Sequence, residues 1–353
     1  MSANVRPLRT TTPTVETGSL PRIDHGGNLD EARARFPNAP TPWIDLSTGI
    51  NPTPYPVPDI PAGAWTRLPT TTETNDLIHA AAYRYQVSAP ESIVAAPGTQ
   101  ALIQTIPRLL PTPTEVAVLG PTYAEHAHCW RSAGHTVRTV SDLEDIDTAR
   151  VVVCVNPNNP TGDPTSTEGL RSIAQRLHRR GGLLVLDEAF ADITPHQSLA
   201  ADRPPSTLIL RSFGKFYGLA GLRLGFAITN VETATALQSM LGPWAVSGPA
   251  ITIATRAFRD DAWHAGTRHS LKTSGDRLND LLKRADFKTR GHCPLFRLGI
   301  HEHAQTIATR LGENGIHVRT FTENLTWLRF GLPSSEEEWQ RLDNALSQCR
   351  PTI

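Results

Sequence analysis

One lysine, Lys215, follows an apolar run and precedes a stretch rich in glycine. The apolar run is at residues 208–210, and the glycine-rich stretch leads to a second apolar run that ends at residue 226. We predict a buried strand, a tight turn that carries the lysine, and then a second strand. Burial of an ammonium group is unfavourable unless the amine is neutralised, paired or bound covalently. The segment therefore predicts either a lysine in an exposed surface turn or a lysine with a chemical role.

A covalent bond to the aldehyde of pyridoxal phosphate is one way to accommodate such a lysine. The neighbours of Lys215 suit the phosphate of this cofactor, since Ser212 offers a hydroxyl group and Arg223 a guanidinium. The sequence SFGK followed by GLAGLRLGF resembles the lysine segment of the pyridoxal-phosphate aminotransferases of the aspartate aminotransferase fold. The resemblance implies an α/β fold with a mostly parallel central sheet, helices on both of its faces, and a smaller C-terminal α/β domain.

Length and charge limit the class of protein. The chain has 353 residues, enough for a large and a smaller domain, and its 34 basic residues balance its 34 acidic residues. Because the formal net charge is zero, we expect a small polar substrate and neither nucleic acid nor membrane as partner. Four scattered cysteines indicate no disulfide framework, and no apolar run reaches about 18 residues. With no signal-peptide pattern at the N-terminus, we expect a cytoplasmic protein.

Two short motifs near the N-terminus predict phosphate binding. His25, Gly26, Gly27 and Asn28 combine backbone N–H groups that can approach an anion closely with two side-chain donors. An ordinary glycine turn is the alternative. The pairing of this motif with the sequence LSTGINP resembles the N-terminal segment of the threonine-phosphate decarboxylases of the cobalamin pathway. That resemblance implies a substrate-binding role for both motifs, the second of which contains Gly49, Ile50 and Asn51.

A glycine turn leads from a predicted strand at residues 92–96 into a predicted helix. Pro97 and Gly98 break the strand, and Thr99 and Gln100 open the helix. The unpaired N–H groups and the partial positive charge of a helix N-terminus favour a phosphate. Many α/β proteins use the same turn for packing alone. The resemblance to the aminotransferases implies that Gly98, Thr99 and Gln100 bind the cofactor.

Three more candidate residues follow the ends of predicted strands. Tyr123 comes after the strand at residues 115–119, in a place that suits the core or the face of a planar cofactor. Asn159 lies in the rigid loop NPNNPTG, and Asp187 ends an apolar strand at residues 183–186. The resemblance implies that Tyr123 stacks on the cofactor ring, Asn159 binds the ring oxygen, and Asp187 pairs with the protonated ring nitrogen. Glu188 is expected to lie behind these residues or in the loop that follows the strand.

Arg329 lies in an apolar, strand-like run near the C-terminus. An unpaired guanidinium there would be unfavourable, so we expect a carboxylate partner, and the resemblance implies the α-carboxylate of the substrate. Residues 231–240 and 250–285 are predicted to be helices, and the proline-rich residues 52–69 are predicted to be an extended loop. We expect no metal site, because the His-Glu-His sequence at residues 301–303 has no third ligand nearby.

These predictions divide the chain into four parts. We expect a flexible tail at residues 1–22, an arm with the substrate-binding segment at 23–72, a large cofactor-binding domain at 73–260, and a bridging helix with a small domain at 261–353. The resemblance also implies a homodimer with active sites at the interface. Its catalytic residues would be Lys215, Asp187, Asn159 and Tyr123.

The expected function is decarboxylation of L-threonine O-3-phosphate with pyridoxal phosphate, to give (R)-1-amino-2-propanol O-2-phosphate for cobalamin biosynthesis. The main alternative is a histidinol-phosphate-type aminotransferase that uses 2-oxoglutarate. The HGGN and STGINP motifs, Phe190 and Leu68 argue against it. Many aminotransferases have tyrosine at the position of Phe190, and histidinol-phosphate aminotransferases usually have tyrosine at that of Leu68. A non-catalytic partner of the enzyme that attaches aminopropanol is the third alternative, and the presence of Lys215, Asp187 and Arg329 argues against it.

Overall fold

The computed structural model describes residues 23, 25–142, 144–146 and 148–349, so the predicted tail at residues 1–22 lies outside the described residues. Within these ranges the strands are β1 Ile44–Leu46, β2 Ile93–Ala96, β3 Glu115–Leu119, β4 Thr136–Val140, β5 Val151–Val155, β6 Leu183–Asp187, β7 Thr207–Ser212, β8 Gly225–Ile228, β9 Lys288–Arg290, β10 Arg297–Ile300, β11 Ile316–Thr320 and β12 Trp327–Phe330. The α-helices are α1 Leu29–Arg35, α2 Ala62–Thr66, α3 Thr71–Tyr85, α4 Thr99–Thr105, α5 Ala124–Ser132, α6 Thr167–Arg179, α7 Val231–Leu241, α8 Gly248–Phe258, α9 Asp261–Arg284, α10 Ala304–Glu313 and α11 Glu336–Ser347.

Seven strands form a large sheet in the order β2-β8-β7-β6-β5-β3-β4. All of them run parallel except β8, which is antiparallel to both neighbours. Every residue of β5, β7 and β8 is buried, which explains why β5, β8 and residues 208–210 of β7 are apolar in the sequence. The carboxyl ends of β3, β5, β6 and β7 meet at one edge. The strand order reverses between β3 and β5, where open α/β sheets bind ligands.

Two hydrophobic clusters cover the two faces of this sheet. Val151 and Val153 of β5 belong to one cluster together with residues of α4, α5 and α7, and Val152 and Cys154 belong to the other together with residues of α3, α6 and α8. The alternation follows from the two-residue period of a strand. The prediction of a mostly parallel sheet with helices on both faces and a smaller α/β unit is confirmed. Within the described ranges no helix is long and apolar enough to cross a membrane.

A second sheet of five strands has the order β1-β11-β12-β10-β9. Strand β1, from the N-terminal part of the chain, pairs in parallel with β11, and the N–H group of Gly331 donates to the carbonyl oxygen of Leu46 at 2.7 Å. The segment that follows β1 is therefore held next to β12 and Arg329. The division of the chain into four parts stays a prediction.

The structure differs from the prediction at two helical regions. Residues 250–285 were expected to form one helix, but α8 ends at Phe258 and α9 begins at Asp261. The reason is a new N-cap, because the Asp260 side chain accepts a hydrogen bond from the N–H group of Trp263 at 3.0 Å. The proline-rich loop at residues 52–69 contains the short helix α2, whose first turn has Pro61 as its N-cap residue.

Candidate active site

Lys215 lies half-buried in the turn between β7 and β8. Asn51 holds this turn, because its backbone N–H group donates to the carbonyl oxygen of Lys215 at 3.0 Å and its side-chain Nδ2 donates to that of Phe216 at 2.9 Å. Burial, and after it the positive charge of Arg329, lowers the pKa of the Lys215 amine to about 8. A lower pKa raises the fraction of neutral amine near neutral pH, and the neutral amine is the form that attacks a carbonyl group.

Two phenylalanines form a wall beside this lysine. The Nζ atom of Lys215 lies 5.8 Å from the ring centroid of Phe190, and the rings of Phe190 and Phe296 meet edge to face with centroids 5.1 Å apart. Gly49 packs against both rings, since a Cβ atom at this position would lie 2.9 Å from Phe296 and 3.1 Å from Phe190. Ile50 follows it and is half-buried. The backbone of the LSTGINP motif thus lies directly against the wall of the site.

Asp187 ends β6 with its carboxylate buried. Its Oδ2 atom lies 2.8 Å from Nε2 of His126 in α5, and its Oδ1 atom accepts a hydrogen bond from the N–H group of Ala189 at 3.0 Å. An ionised carboxylate only accepts hydrogen bonds, so Nε2 of His126 carries the proton. The sequence analysis missed His126. The available signal was its spacing of three residues from Tyr123, because residues three apart at a helix start lie on one side.

Tyr123 stands immediately before α5, between two histidines. Its ring centroid lies 6.0 Å from that of His25 and 6.1 Å from that of His126. Its hydroxyl group donates to Oε1 of Gln100 at 3.3 Å. Burial raises the pKa of the Tyr123 hydroxyl above its usual value, so the group stays protonated.

The five residues predicted to bind the cofactor phosphate come from three neighbouring segments. Gly98, with φ of +86°, precedes α4, in which Thr99 and Gln100 are the first residues. A Cβ atom at Gly98 would lie 2.6 Å from Nη2 of Arg223. Ser212 pairs with Gly225 across β7 and β8, and a Cβ atom at Gly225 would lie 2.5 Å from the backbone nitrogen of Thr99. The two glycines thus allow the guanidinium and β8 to approach the first turn of α4.

Arg329 is buried in β12 and reaches the NPNNPTG loop. Its Nη1 atom donates to Oδ1 of Asn159, and its Nη2 atom donates to the carbonyl oxygen of Ser47 at 2.6 Å. Its Nε atom is buried and has no hydrogen-bond partner among the described residues. Burial lowers the pKa of Arg329 to about 10. No carboxylate among the described residues forms an ion pair with this guanidinium, so the expected carboxylate partner is not found in that part of the chain.

The predicted phosphate-binding motif lies against the segment that carries Ser47. The N–H group of Gly27 donates to Oγ of Ser47 at 2.7 Å, and a Cβ atom at Gly26 would lie 2.3 Å from the Ser47 carbonyl oxygen. The ring of His25 points to α5, with its Nε2 atom 2.9 Å from Oε1 of Glu125. Ser47 is therefore a shared partner of this motif and of Arg329, a role that the sequence analysis missed.

Asn28 caps helix α1. Its Oδ1 atom accepts a hydrogen bond from the N–H group of Glu31 at 3.3 Å, and its Nδ2 atom donates to the Glu31 carboxylate at 2.8 Å. The side chain is thus engaged locally, and its predicted part in substrate binding stays a prediction.

Glu188 belongs to a buried ionic cluster behind the site. Arg211 donates from Nη1 to Glu188 at 2.9 Å and from Nη2 to Asp192 at 2.6 Å, and its guanidinium lies 4.5 Å from the ring centroid of Tyr85. Burial raises the pKa of Glu188, although Arg211 acts in the opposite direction. Glu188 therefore joins β6 to β7 beneath the site. Among the described residues no group of three or more His, Cys, Asp or Glu side chains is arranged to hold a metal ion.

Comparison with known proteins matches one family model, two decarboxylases and the crystal structure of an aminotransferase. A family model described as aminotransferase class I and II matches residues 42–346. The chain is 44% identical to the threonine-phosphate decarboxylase of Pseudomonas aeruginosa over 92% of this chain and 97% of the relative. It is 41% identical to the threonine-phosphate decarboxylase of a Sinorhizobium species over 92% of this chain and 98% of the relative. A crystal structure of histidinol-phosphate aminotransferase from Sinorhizobium meliloti in complex with pyridoxal-5'-phosphate superposes with a TM-score of 0.73 at 23% identity, covering 81% of this chain and 84% of that chain.

Proposed function

The chain belongs to the aminotransferase class I and II family and, within it, to the threonine-phosphate decarboxylases, and we propose on this basis that it decarboxylates L-threonine O-3-phosphate. The products are carbon dioxide and (R)-1-amino-2-propanol O-2-phosphate, which serves cobalamin biosynthesis. One observation carries the proposal at the site. Ser47 contacts both Gly27 of the phosphate-binding motif and Arg329. The motif proposed to bind a phosphate and the guanidinium proposed to bind a carboxylate therefore lie next to each other.

The residues of the site fit pyridoxal phosphate. The Lys215 amine, with its lowered pKa, suits a bond to the aldehyde. The glycine at position 98 leaves room for the Arg223 guanidinium at the first turn of α4, and Thr99, Gln100 and Ser212 would complete the phosphate site. Asp187, fixed by His126, would hold the ring nitrogen, Asn159 the ring oxygen, and Tyr123 the ring face. When bound, the cofactor supplies an electron sink for the carbon that loses its carboxylate.

A second set of residues in the site orients the substrate from both ends. Arg329 would bind the α-carboxylate, for which its buried and unpartnered Nε atom is one available donor. His25, Asn28 and the N–H group of Gly26 would bind the substrate phosphate, with Gly49, Ile50 and Asn51 beside them, and Gly27 would hold this motif in place through its hydrogen bond to Ser47. Because the substrate is held at its carboxylate and at its phosphate, rotation about the bond between Cα and the amine nitrogen is fixed. This rotation decides whether Cα loses its carboxylate or its hydrogen.

Lys215 is the proton carrier of the reaction. Loss of carbon dioxide leaves an electron pair at Cα that must take up one proton. The substrate amine would replace Lys215 on the cofactor, and the freed Lys215 amine, beside Phe190 and with a pKa of about 8, would then hold a proton and release it near neutral pH. The proton passes from Nζ to Cα.

The aminotransferase alternative has less support at the site. Phe190 adds no hydroxyl group to the wall beside Lys215, and Leu68, which is 61% exposed, has no group that could bind a phosphate. The non-catalytic alternative is disfavoured because Lys215, Asp187 and Arg329 lie in one site together with their partners.

We also propose that the protein is a cytoplasmic homodimer. Trp65 and Leu68, three residues apart, are 66% and 61% exposed. Large apolar side chains that are exposed together are typical of surfaces that a partner covers. Chromatography with light scattering tests the dimer, because a monomer at micromolar concentration would contradict it.

The decisive experiment compares two reactions of the same purified protein, loaded with pyridoxal phosphate. One sample receives L-threonine O-3-phosphate and is followed for carbon dioxide, and the other receives histidinol phosphate with 2-oxoglutarate and is followed for glutamate. The Lys215→Ala variant is the matched control. Carbon dioxide without glutamate supports the proposal, whereas glutamate without carbon dioxide would replace it by the aminotransferase reaction.

A further inference from the structure

Four side chains form a continuous line of hydrogen bonds along one side of the site. His25 Nε2 lies 2.9 Å from Oε1 of Glu125, Gln100 Nε2 donates to Oε2 of Glu125 at 2.6 Å, and the Tyr123 hydroxyl donates to Oε1 of Gln100 at 3.3 Å. The four residues come from the N-terminal motif, the first turn of α4 and the start of α5. Glu125 stands at the centre of this line.

The carboxylate of Glu125 lies in an unfavourable place for a negative charge. The side chain of Glu125 is only 12% exposed and lies among residues proposed to bind the phosphates of cofactor and substrate. A negative charge there would repel both anions unless donors enclose it. His25 and Gln100 provide those donors, and the thiol of Cys129 provides a weaker contact at 3.6 Å. Both oxygens of the Glu125 carboxylate are therefore occupied by hydrogen-bond donors of the protein.

The contact also determines which nitrogen of His25 is available. Because an ionised carboxylate only accepts hydrogen bonds, Nε2 of His25 carries the proton that binds Glu125. Within the described part of the chain, Nδ1 of His25 has no hydrogen-bond partner. The ring is 45% exposed and packs 6.0 Å from Tyr123, so without Glu125 only that ring contact would restrict its rotation.

We propose that Glu125 is a positioning residue for recognition of the substrate phosphate, acting through His25. Glu125 fixes the imidazole beside Tyr123 with Nδ1 left for the phosphate, so the substrate does not have to immobilise the ring when it binds. This inference rests on the proposed function, in which His25 binds the substrate phosphate. It predicts that loss of Glu125 weakens phosphate-bearing ligands selectively and leaves the chemical step almost unchanged.

The test uses the holoenzyme and two ligands that cannot be decarboxylated because they lack a carboxylate. O-phosphoethanolamine and ethanolamine are titrated while the absorbance of the bound cofactor is followed. For Glu125→Ala we expect about tenfold weaker binding of O-phosphoethanolamine and less than about twofold change for ethanolamine, since a charge-assisted contact is lost. Glu125→Gln, which keeps one acceptor, should lie between. For L-threonine O-3-phosphate the change should appear in KM and not in kcat.

A double-mutant cycle shows whether Glu125 acts through His25. In the His25→Ala background, Glu125→Ala should weaken O-phosphoethanolamine no further. Additive losses, or equal losses for the two ligands, would overturn the proposal. Glu115→Gln, an exposed carboxylate at the start of β3, is the control for loss of charge. If Glu125→Ala does not fold, the cycle is run with Glu125→Gln and is read in the same way.

The two failures can be told apart. If the wild-type holoenzyme releases no carbon dioxide from L-threonine O-3-phosphate, the proposed function fails before any variant is made. If the wild type is active but Glu125→Ala binds O-phosphoethanolamine normally, only the role of Glu125 fails.

Discussion

Nε2 of His126 and Oδ2 of Asp187 lie 2.8 Å apart, and both side chains are almost completely buried. The contact joins the start of α5 to the end of β6, beneath Tyr123. Removal of the imidazole leaves a buried carboxylate with one donor fewer. We expect His126→Ala to lower the free energy of unfolding by about 1–3 kcal/mol and to weaken pyridoxal phosphate binding. Urea denaturation and cofactor titration measure the two effects. His126→Gln, which can still donate, is the control, and a His126→Ala protein with normal stability and cofactor affinity would contradict the prediction.

The depressed pKa of Lys215 predicts how the stability of the cofactor-free protein depends on pH. The folded pKa is about 8 and the ordinary value is 10.5, so between these values the unfolded chain binds more protons and stability rises with pH. Below pH 8 the full penalty of burying the charge is present. Lys215→Met should therefore be more stable than wild type at pH 7, by no more than about 3 kcal/mol, and the difference should shrink towards pH 10.5. Urea denaturation over this pH range measures the difference. The exposed Lys288→Met is the control, and a difference that does not change with pH would refute the assignment.

Asn51 is expected to act on the lysine turn through its side-chain amide. Asn51→Asp keeps the oxygen that accepts from the N–H group of Thr53 but loses the donor to the Phe216 carbonyl oxygen. That carbonyl group is then buried without its partner, at a cost of about 1–3 kcal/mol in the free energy of unfolding. We expect kcat for carbon dioxide release to fall more than KM changes. Asn51→Asp with normal stability and turnover would show that the turn holds its shape without this bond.

Gly49 is expected to tolerate no side chain. A Cβ atom would lie 2.9 Å from Phe296 and 3.1 Å from Phe190, so Gly49→Ala must displace the wall of the site. Overpacking of this kind costs about 1–3 kcal/mol, and we expect carbon dioxide release to fall with it. Gly266→Ala in α9, where a Cβ atom meets nothing within 4 Å, is the control and should be neutral or stabilising. Phe296→Leu should partly rescue Gly49→Ala, and absence of rescue would place the damage elsewhere.

Arg211 is expected to be the most sensitive residue of the buried ionic cluster. Arg211→Met leaves the carboxylates of Glu188 and Asp192 buried without their cation. Breaking a buried ion pair from one side destabilises by about 3–5 kcal/mol. Thermal unfolding of this variant should begin well below that of wild type. Arg171→Met, which removes an exposed ion pair with Asp202, should change stability by about 1 kcal/mol or less. Equal effects of the two substitutions would contradict the prediction.

The large sheet was predictable because its strands are buried on both faces. For that reason residues 151–155 form a continuous apolar run, and the apolar run predicted at residues 208–210 lies inside β7, which ends with Arg211 and Ser212. Strands β1 and β9 have three residues each, too few for a periodic pattern, and β1 exists because a segment more than 270 residues later pairs with it. Short elements of this kind are stabilised by tertiary pairing and carry no local signal.

The same distinction applies to the site. Asp187 is the last residue of β6, and Asn159 and Lys215 follow β5 and β7, so their convergence at one edge of the sheet follows from the strand order. The roles of His126, Glu125 and Ser47 arise from contacts across 61, 100 and 282 residues, respectively. A single histidine, glutamate or serine in a sequence has too many possible environments for such a role to be predicted.

The pairing of β1 with β11 limits how far the two sheets can move apart. From Leu46 at the end of β1 to Asn51, which is hydrogen-bonded to the lysine turn, the chain can extend at most about 17 Å. The small sheet is therefore connected to the Lys215 turn by a short segment. One end of this segment is fixed by the pairing of β1 with β11, and the other by the hydrogen bond from Asn51 to Lys215. Any motion that separates the small sheet from the large one must therefore keep the two ends of this segment within about 17 Å or break one of its anchors.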